Sequence, residues 1–194
     1  GAQTDNYFLH TVTKGQGLYS ISRMYGVTEA DIIALNPGSE IVIPIEMSNV
    51  DTLCTTDDPI DDLRYHKALA LDESFKVKVY PAFRPDKVIN VDWDTYVPYV
   101  EKLSEVVGYK ITNLEELEKA LHERVEFFHE ANCRISDHAL DVVMYEKASK
   151  EEVNEITIKA LKGETLTKEE IAKYRGYIIV FLGREYYAHG WVQQ

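Results

Sequence analysis

The sequence predicts an α/β protein with parallel strands, in which a small strand–helix–helix–strand unit precedes a longer unit. Apolar strand-like runs alternate with segments of helical spacing across residues 46–194, an order typical of parallel sheets whose strands are connected by helices. Residues 1–45 instead carry two short helical patterns between two strand-like runs. We therefore predict two domains, with their boundary between residues 45 and 46.

Turn and capping residues divide the first unit into its elements. Alternating apolar and polar residues at 7–13 predict the first strand. Helical spacing begins at Leu18 and stops at Gly26, a residue type that commonly ends helices. Thr28 is a favourable cap for a second short helix, and residues 40–44 predict the returning strand.

The second unit is predicted to contain three strands and five helices. Strands are expected at 50–55, 75–83 and 134–140, and helices at 61–71, 94–107, 113–128, 149–163 and 167–190. Asn113 is the predicted N-cap of the third of these helices. Trp191 begins a further apolar segment. Because strands that are separated by helices pair in parallel, these elements predict a parallel sheet.

The formal net charge of −12 limits the partners that the sequence predicts. Nucleic acids and anionic membrane surfaces are not expected to bind, because recognition of phosphate groups requires clustered Lys and Arg side chains. No run approaches the roughly 18 consecutive apolar residues of a membrane span. Cys54 and Cys133 match no metal-binding spacing, so we predict two buried thiols in a reducing compartment and no metal site.

Four motifs in the first unit together resemble a LysM domain. They are HTV at 10–12, KGQGLYSI at 14–21, YGVT at 25–28 and LNPG at 35–38. The resemblance implies a βααβ fold that binds glycans containing N-acetylglucosamine, such as peptidoglycan or chitin. The implied groove lies between two loops that contain the glycan-binding candidates, which are Gly15, Gln16, Gly17, Leu18, Asn36, Pro37 and Gly38.

One loop of this groove is shorter here than in typical LysM domains. Ser39 and Glu40 lead almost directly into the apolar run at 41–44. The alternative interpretation of the first unit is therefore a small packed domain without affinity for glycans.

Four motifs in the second unit resemble uronate isomerase over residues 47–194. They are CTTDDPIDDL at 54–63, PAFRPDK at 81–87, RISDH at 134–138 and FLGREY at 181–186. The resemblance implies part of a TIM-type (βα) barrel, similar to the amidohydrolases, and a divalent metal such as zinc. It also implies interconversion of aldose and ketose hexuronates, such as D-glucuronate and D-fructuronate, by proton transfer between C2 and C1 through an enediol.

The candidate site residues of the second unit follow predicted strands, where barrel enzymes place their active groups. Arg84 and Asp137 are the predicted catalytic residues: an arginine suits the substrate carboxylate or hydroxyls, and an aspartate can position a hydroxyl or transfer a proton. Asp57 and Asp58 are the predicted substrate-binding residues. The alternatives are a structural ion pair for Arg84, a loop cap for Asp137 and a turn-forming role for Asp58 before Pro59.

The histidines of the sequence are further side chains that could act as metal ligands. His138 follows the third predicted strand, and we interpret it as a packed, hydrogen-bonded side chain rather than a metal ligand. The four histidines that fall in predicted helices are interpreted as surface or packing residues, and they are His66, His122, His129 and His189.

The metal-binding His-x-His pair of the uronate isomerases has no counterpart in this sequence. We therefore expect LysM-type glycan binding joined, by a rearranged or artificial fusion, to a truncated and inactive isomerase segment that holds no cofactor. The alternatives are a uronate isomerase completed by further segments, with a hexuronate as substrate, and an artificial chain with no native function. A partial barrel leaves strand edges unpaired, which predicts a homodimer. The LysM part suggests an exported protein and the isomerase part a cytoplasmic one.

Overall fold

The structure, a computed structural model, describes residues 13, 16–35, 50–73, 75–139 and 145–194. The chain divides into two compact units, Gly1–Asp51 and Thr52–Gln194. The predicted domain boundary between residues 45 and 46 falls outside the described residues.

In the first unit, the described residues form two helices, α1 at Leu18–Tyr25 and α2 at Glu29–Leu35. Gly26 ends α1 in the left-handed conformation, with φ at 66°, and its N–H donates to the Ser22 carbonyl. Any residue with a Cβ atom is strained in that conformation, which explains why glycine ends the helix. Both predicted helices of the first unit are confirmed.

The start of α2 is stabilised by a reciprocal pair of hydrogen bonds. The Thr28 N–H donates to Asp31 Oδ2 at 3.1 Å, and the Asp31 N–H donates to Thr28 Oγ1 at 3.1 Å. These bonds satisfy N–H groups that a helix start leaves without partners, as the predicted cap requires. The predicted strands at 7–13 and 40–44 lie outside the described residues, apart from Thr13.

The second unit follows the predicted alternation of strands and helices. Its elements are β1 (Thr52–Cys54), α3 (Arg64–Leu71), β2 (Lys78–Tyr80), α4 (Asp86–Ile89), α5 (Tyr96–Val107), α6 (Leu114–Glu130), β3 (Ile135–Ser136), α7 (Lys150–Leu161), α8 (Lys168–Ala188) and β4 (Val192–Gln193). Each strand is shorter than predicted, and the short helix α4 was not predicted. The apolar segment after Trp191 becomes β4.

All strand pairs of this unit are parallel among the described residues. β1 pairs with β2, with Leu53 opposite Val79, and β3 pairs with β4, with Ile135 opposite Val192. Phe83 connects the two pairs, because it forms parallel bridges with both Asp57 and Ser136. The prediction of a mixed α/β fold with parallel strands is therefore confirmed, and the carboxyl ends of the strands meet along one edge.

Polar side chains cap the starts of three long helices, α6, α7 and α8. Asn113 Oδ1 accepts a hydrogen bond from the Glu116 N–H at 3.0 Å at the start of α6, which confirms the predicted cap. Ser149 and Thr167 cap α7 and α8 with capping boxes. In each, the cap side chain accepts a hydrogen bond from the N–H of a glutamate three residues later, and the side chain of that glutamate accepts one from the cap N–H. These starts coincide with the predicted ones because capping is encoded locally.

The hydrophobic core of the second unit lies between the strand ends and helices α4 to α8. Phe83 is fully buried there, and its ring meets that of Phe128 edge-to-face at 5.0 Å. Tyr96 and Tyr174 are also buried, with their hydroxyls 2.8 Å apart, and Tyr174 donates to the Val88 carbonyl. Within the described part of the chain, no helix is both long and apolar enough to span a bilayer.

Candidate functional site

The candidate site lies where β1, β2 and β3 end, and backbone hydrogen bonds hold its residues side by side. The Asp57 N–H donates to the Ala82 carbonyl, and the Arg84 N–H donates to the Asp57 carbonyl, each at 2.9 Å. The Asp137 N–H donates to the Phe83 carbonyl, also at 2.9 Å. Because Phe83 is fully buried and paired on both sides, it fixes the positions at which these polar side chains leave the sheet.

Two carboxylates lie beside the Arg84 guanidinium, and one of the two contacts is much shorter than the other. Its Nε donates to Asp86 Oδ2 at 2.7 Å, whereas its Nη1 lies 3.5 Å from Asp137 Oδ2. The bond to Asp86 raises the pKa of Arg84, so the guanidinium is charged throughout the working range of pH. The Arg84 side chain remains 37% exposed, and its Nη1 end, where the contact with Asp137 is long, can bind an anionic ligand.

Asp137 has a similar surface position beside Arg84. Its side chain is 32% exposed, and Thr56 Oγ1 lies 3.5 Å from its Oδ2. Both contacts are longer than the 2.7–2.9 Å that is usual for charge-assisted hydrogen bonds. The carboxylate therefore keeps the capacity to accept a stronger hydrogen bond from a ligand hydroxyl.

Asp57 is surrounded by protein groups. Thr55 Oγ1 donates to Asp57 Oδ2 at 2.6 Å, and the Ala82 N–H donates to the same oxygen at 3.2 Å. His66 Nε2 lies 2.7 Å from Thr55 Oγ1 and 3.7 Å from Asp57 Oδ1. Since the Thr55 hydroxyl donates its hydrogen bond to Asp57, the short contact with His66 requires the tautomer in which Nε2–H donates to the hydroxyl oxygen.

Asp58 is similarly engaged on the helix side of the turn. The Tyr99 hydroxyl donates a hydrogen bond to Asp58 Oδ1 at 2.7 Å, and Lys87 Nζ lies 3.0 Å from Asp58 Oδ2. The Asp58 N–H donates to Asp61 Oδ2 at 2.9 Å, which closes the turn around Pro59. These contacts fit the turn-forming alternative for Asp58.

A buried arginine, Arg124, also holds the turn around Pro59. Arg124 in α6 donates from Nε to the Pro59 carbonyl at 2.6 Å and from Nη2 to the Asp61 carbonyl at 2.8 Å. Its guanidinium carbon lies 4.0 Å from the centre of the Phe127 ring. Arg124 is absent from the candidates predicted from the sequence, although one signal points to it: a charged residue lies on the same helix face as Leu121 and Phe128, which are buried.

His138 packs behind the strand ends. Its Nε2 lies 3.3 Å from the Tyr186 hydroxyl and its Nδ1 lies 3.4 Å from the Gln194 carbonyl. Burial lowers the pKa of His138 below its ordinary value. The interpretation of His138 as a packed, hydrogen-bonded histidine agrees with these contacts.

The other four histidines among the described residues also have protein partners. His66, His122 and His129 lie in helices as predicted, and His189 immediately follows α8. Trp191 Nε1 donates to His129 Nδ1 at 3.0 Å, and His189 Nε2 lies 2.6 Å from a carboxylate oxygen of Glu126. Among the residues that the structure describes, no group of three or more His, Cys, Asp or Glu side chains could hold a metal ion.

Three of the glycan-binding candidates lie among the described residues of the first unit. Gln16 Oε1 accepts a hydrogen bond from the Thr13 N–H at 3.0 Å, and the Gly17 N–H donates to Ser20 Oγ at 2.8 Å. Leu18 is half-buried at the start of α1. The other four candidates, Gly15, Asn36, Pro37 and Gly38, lie outside the described residues.

Parallel strands joined by helices, with an arginine and aspartates at the carboxyl ends of the strands, are the arrangement used by α/β enzymes that bind small polar substrates. A model of the glucuronate isomerase family matches residues 38–194, and the chain therefore belongs to that family. A model of the LysM domain matches residues 10–44. Both predicted resemblances are thus confirmed.

Individual relatives give the same family. The chain is 52% identical over 147 residues to the uronate isomerase of Caldicellulosiruptor saccharolyticus, a match that covers 76% of this chain and 32% of the relative. It is 49% identical over 160 residues to the uronate isomerase of Clostridium acetobutylicum, covering 82% and 34%. The chain therefore spans about a third of the length of the curated relatives it matches.

Two solved structures are similar to this fold. The uronate isomerase of Thermotoga maritima is 36% identical, with a TM-score of 0.71, over 75% of this chain and 32% of that one. The glucuronate isomerase of Caulobacter crescentus has a TM-score of 0.73 over 91% of this chain and 39% of that one. Its identity is 22%, so this second likeness supports the fold alone.

Proposed function

We propose that the second unit provides the carboxylate-binding part of a hexuronate isomerase site, within a barrel that further segments complete. The observation that carries this proposal is the Arg84 guanidinium, which lies at the shared strand edge with Asp137 3.5 Å away. A guanidinium offers two parallel N–H groups to a carboxylate, a geometry that a lysine cannot provide. Hexuronates carry such a carboxylate, and the curated relatives bear the name uronate isomerase.

The proposed roles follow from the contacts of the two residues. Arg84 binds the substrate carboxylate, and Asp137 accepts a hydrogen bond from a substrate hydroxyl or transfers a proton. Isomerisation moves the C2 proton to a base, forms an enediol and returns a proton to C1. Asp57 and Asp58, proposed as substrate-binding residues from the sequence, shape the adjacent turn while their carboxylates are held by protein groups.

A divalent metal such as zinc belongs to the chemistry implied by the family, but the described residues do not fit one. In the described ranges, no group of three or more His, Cys, Asp or Glu side chains is arranged so that it could hold a metal ion. The ligands of such a metal would have to come from residues outside these ranges.

Binding of D-glucuronate to the chain tests this proposal. We expect D-glucuronate to shift the NMR signals of Arg84 and its neighbours, whereas D-glucose, which lacks the carboxylate, leaves them unchanged. Arg84→Met should abolish the shifts. Arg64→Met is the matched control, because Arg64 is a 69% exposed arginine whose partner is Asp62. Equal binding of D-glucose, or unchanged binding by Arg84→Met, would refute the carboxylate-binding role.

Turnover is measured separately, with added zinc or manganese. Because the sequence has no counterpart of the family's metal-binding His-x-His pair, we expect no conversion of D-glucuronate by the chain alone. Turnover above background that is lost in Arg84→Met would show instead that the chain contains a complete catalytic site.

We propose a second function, glycan binding, for the first unit. The LysM match over residues 10–44 and the two helices support it. Titration with N-acetylglucosamine oligomers should shift amide signals near Gly17 and Leu18, and Leu18→Ala should weaken the response. Met24→Ala is the control, since Met24 is an exposed residue near the other end of α1. Absence of any shift at millimolar oligomer would favour the alternative, a packed domain without glycan affinity.

The homodimer stays a prediction. Among the described strands, β1 and β4 each have one neighbour, and Val192 in β4 is 64% exposed. Light scattering should give twice the mass of the chain if two copies pair these edges. A monomer that binds no hydrophobic dye would show that the chain covers its own edges.

A further inference from the structure

Asp86 connects two of the strand ends that carry the candidate site. It begins α4, two residues after Arg84, and its side chain is 14% exposed. Its Oδ2 accepts the 2.7 Å hydrogen bond from Arg84 Nε. Its Oδ1 accepts a second hydrogen bond, at 3.0 Å, from the backbone N–H of Ala139, two residues beyond Asp137. One carboxylate therefore links the segment after β2 with the segment after β3.

We propose that Asp86 is a positioning residue: it orients the Arg84 guanidinium for a substrate carboxylate and sets its separation from Asp137. This inference rests on the proposed binding of a hexuronate by Arg84. The guanidinium is planar, so a hydrogen bond at Nε fixes the direction in which both Nη groups point. Because Asp86 occupies Nε, the Nη edge, where Asp137 lies 3.5 Å from Nη1, faces the proposed ligand.

The second bond of Asp86 extends this control to Asp137. The Ala139 N–H is anchored to the carboxylate that holds Arg84, so one group restrains both the Arg84 guanidinium and the backbone that follows Asp137. The direct contact between them, at 3.5 Å, is too long to fix their geometry. Positioning of a binding group to within about half an ångström normally depends on such supporting hydrogen bonds.

A neutral amide cannot replace the carboxylate in this arrangement. Asp86 accepts from two donors, each at a different oxygen. Asparagine has one acceptor oxygen and one NH₂ group, so its NH₂ would face either the Arg84 Nε–H or the Ala139 N–H. Asp86→Asn therefore breaks one of the two bonds while it preserves the size of the side chain.

The test compares Asp86→Asn with Asp92→Asn in the whole chain. Asp92 also pairs with an arginine, Arg175, and is therefore a matched control away from the strand ends. The first measurement is the Nε–H NMR signal of Arg84, assigned by its loss in Arg84→Lys. We expect the signal to shift and broaden in Asp86→Asn and to be unchanged in Asp92→Asn. An unchanged signal in Asp86→Asn would overturn the proposal.

The second measurement is affinity for D-glucuronate. Asp86→Asn should bind about tenfold more weakly, as expected when a supporting hydrogen bond to a binding group is lost, and Asp92→Asn should bind normally. Arg84→Lys keeps the charge but loses the paired N–H groups as well as the Nε–H group, so it should bind at least as weakly as Asp86→Asn. Wild-type affinity in Asp86→Asn would refute positioning by Asp86, whereas wild-type affinity in Arg84→Lys would refute the carboxylate-binding role of Arg84.

The two measurements separate this inference from the proposed function. If the wild-type chain does not bind D-glucuronate, the proposed function fails, and the Arg84 Nε–H signal alone decides whether Asp86 orients the guanidinium. If the wild type binds and the Arg84 signal responds to Asp86→Asn without loss of affinity, the proposed function stands and the positioning role is wrong.

Discussion

The ends of β1 and β2 occupy equivalent positions on neighbouring parallel strands, yet their charged side chains have different surroundings. Asp57, after β1, has a 12% exposed side chain, and one of its oxygens accepts two hydrogen bonds from protein donors. Arg84, after β2, is 37% exposed and has one short bond, to Asp86. The position at a strand end determines where a side chain emerges, but its neighbours decide whether it can still bind a ligand.

The difference extends to the layer behind each strand end. The turn at residues 58–61, called the β1 turn because it follows β1, is held by Tyr99 from α5 and Arg124 from α6. Asp137, next to Arg84, has only contacts of 3.5 Å to its carboxylate among the described residues. We therefore expect substitutions at the β1 end to affect stability and substitutions at the β2 and β3 ends to affect ligand binding.

The largest loss of stability is expected for Arg124→Met, which removes the support of the β1 turn. Two backbone carbonyls lose their hydrogen bonds and the contact with the Phe127 ring is altered. The free energy of unfolding, measured with urea, should fall by about 3 kcal/mol. Lys119→Met, at a 61% exposed position of the same helix, should change it by less than about 0.5 kcal/mol. Similar values for both variants would contradict a supporting role.

A direct comparison of the two strand ends uses Asp57→Ala and Arg84→Met. Asp57→Ala leaves the partly buried Thr55 hydroxyl and the Ala82 N–H without their acceptor, so we expect a loss of about 2 kcal/mol. Arg84→Met should cost less than about 1 kcal/mol, because the removed ion pair is partly exposed. Urea unfolding of both variants checks the order. If Arg84→Met is the more destabilising variant, Arg84 is a structural ion-pair residue, the alternative raised by the sequence.

The smallest effect is a dependence of stability on pH at His138. Burial lowers the pKa of His138 from 6.5, so the folded state disfavours the proton that the unfolded state accepts. Its contribution is therefore complete above pH 6.5 and is lost as the pH falls through the folded-state pKa. We expect unfolding experiments to show this loss in the wild type and a smaller one in His138→Asn.

His189 provides a control of opposite sign. Burial alone would lower its pKa, but hydrogen bonds to the Glu185 carbonyl and the Glu126 carboxylate outweigh burial and raise the pKa above 6.5. Its contribution should be present below pH 6.5 and be lost as the pH rises through the folded-state pKa. His189→Asn should therefore change the slope above pH 6.5, on the other side from His138→Asn. Identical changes in both variants would show that neither histidine causes the dependence.

Local pattern predicted most of the fold. Strand and helix periodicities placed the strands and helices of the second unit in order, and Asn113 marked the start of α6 correctly because an N-cap bonds within its own turn. The short helix α4 was missed, since four residues are too few to show a helical period. The same strand-end logic placed Arg84 and Asp137 at one edge, which the hydrogen bonds around Phe83 confirm.

The sequence by itself determined the order of elements, the family and the residues at the strand ends. Tertiary structure alone decided which of those residues are held by the protein and which face solvent. The deciding bonds join residues far apart in the chain: Tyr99 to Asp58 across 41 positions, Arg124 to Pro59 across 65, and Ala139 to Asp86 across 53. Such partners depend on which helix packs against which strand end, and periodicity within one segment carries no information about that packing.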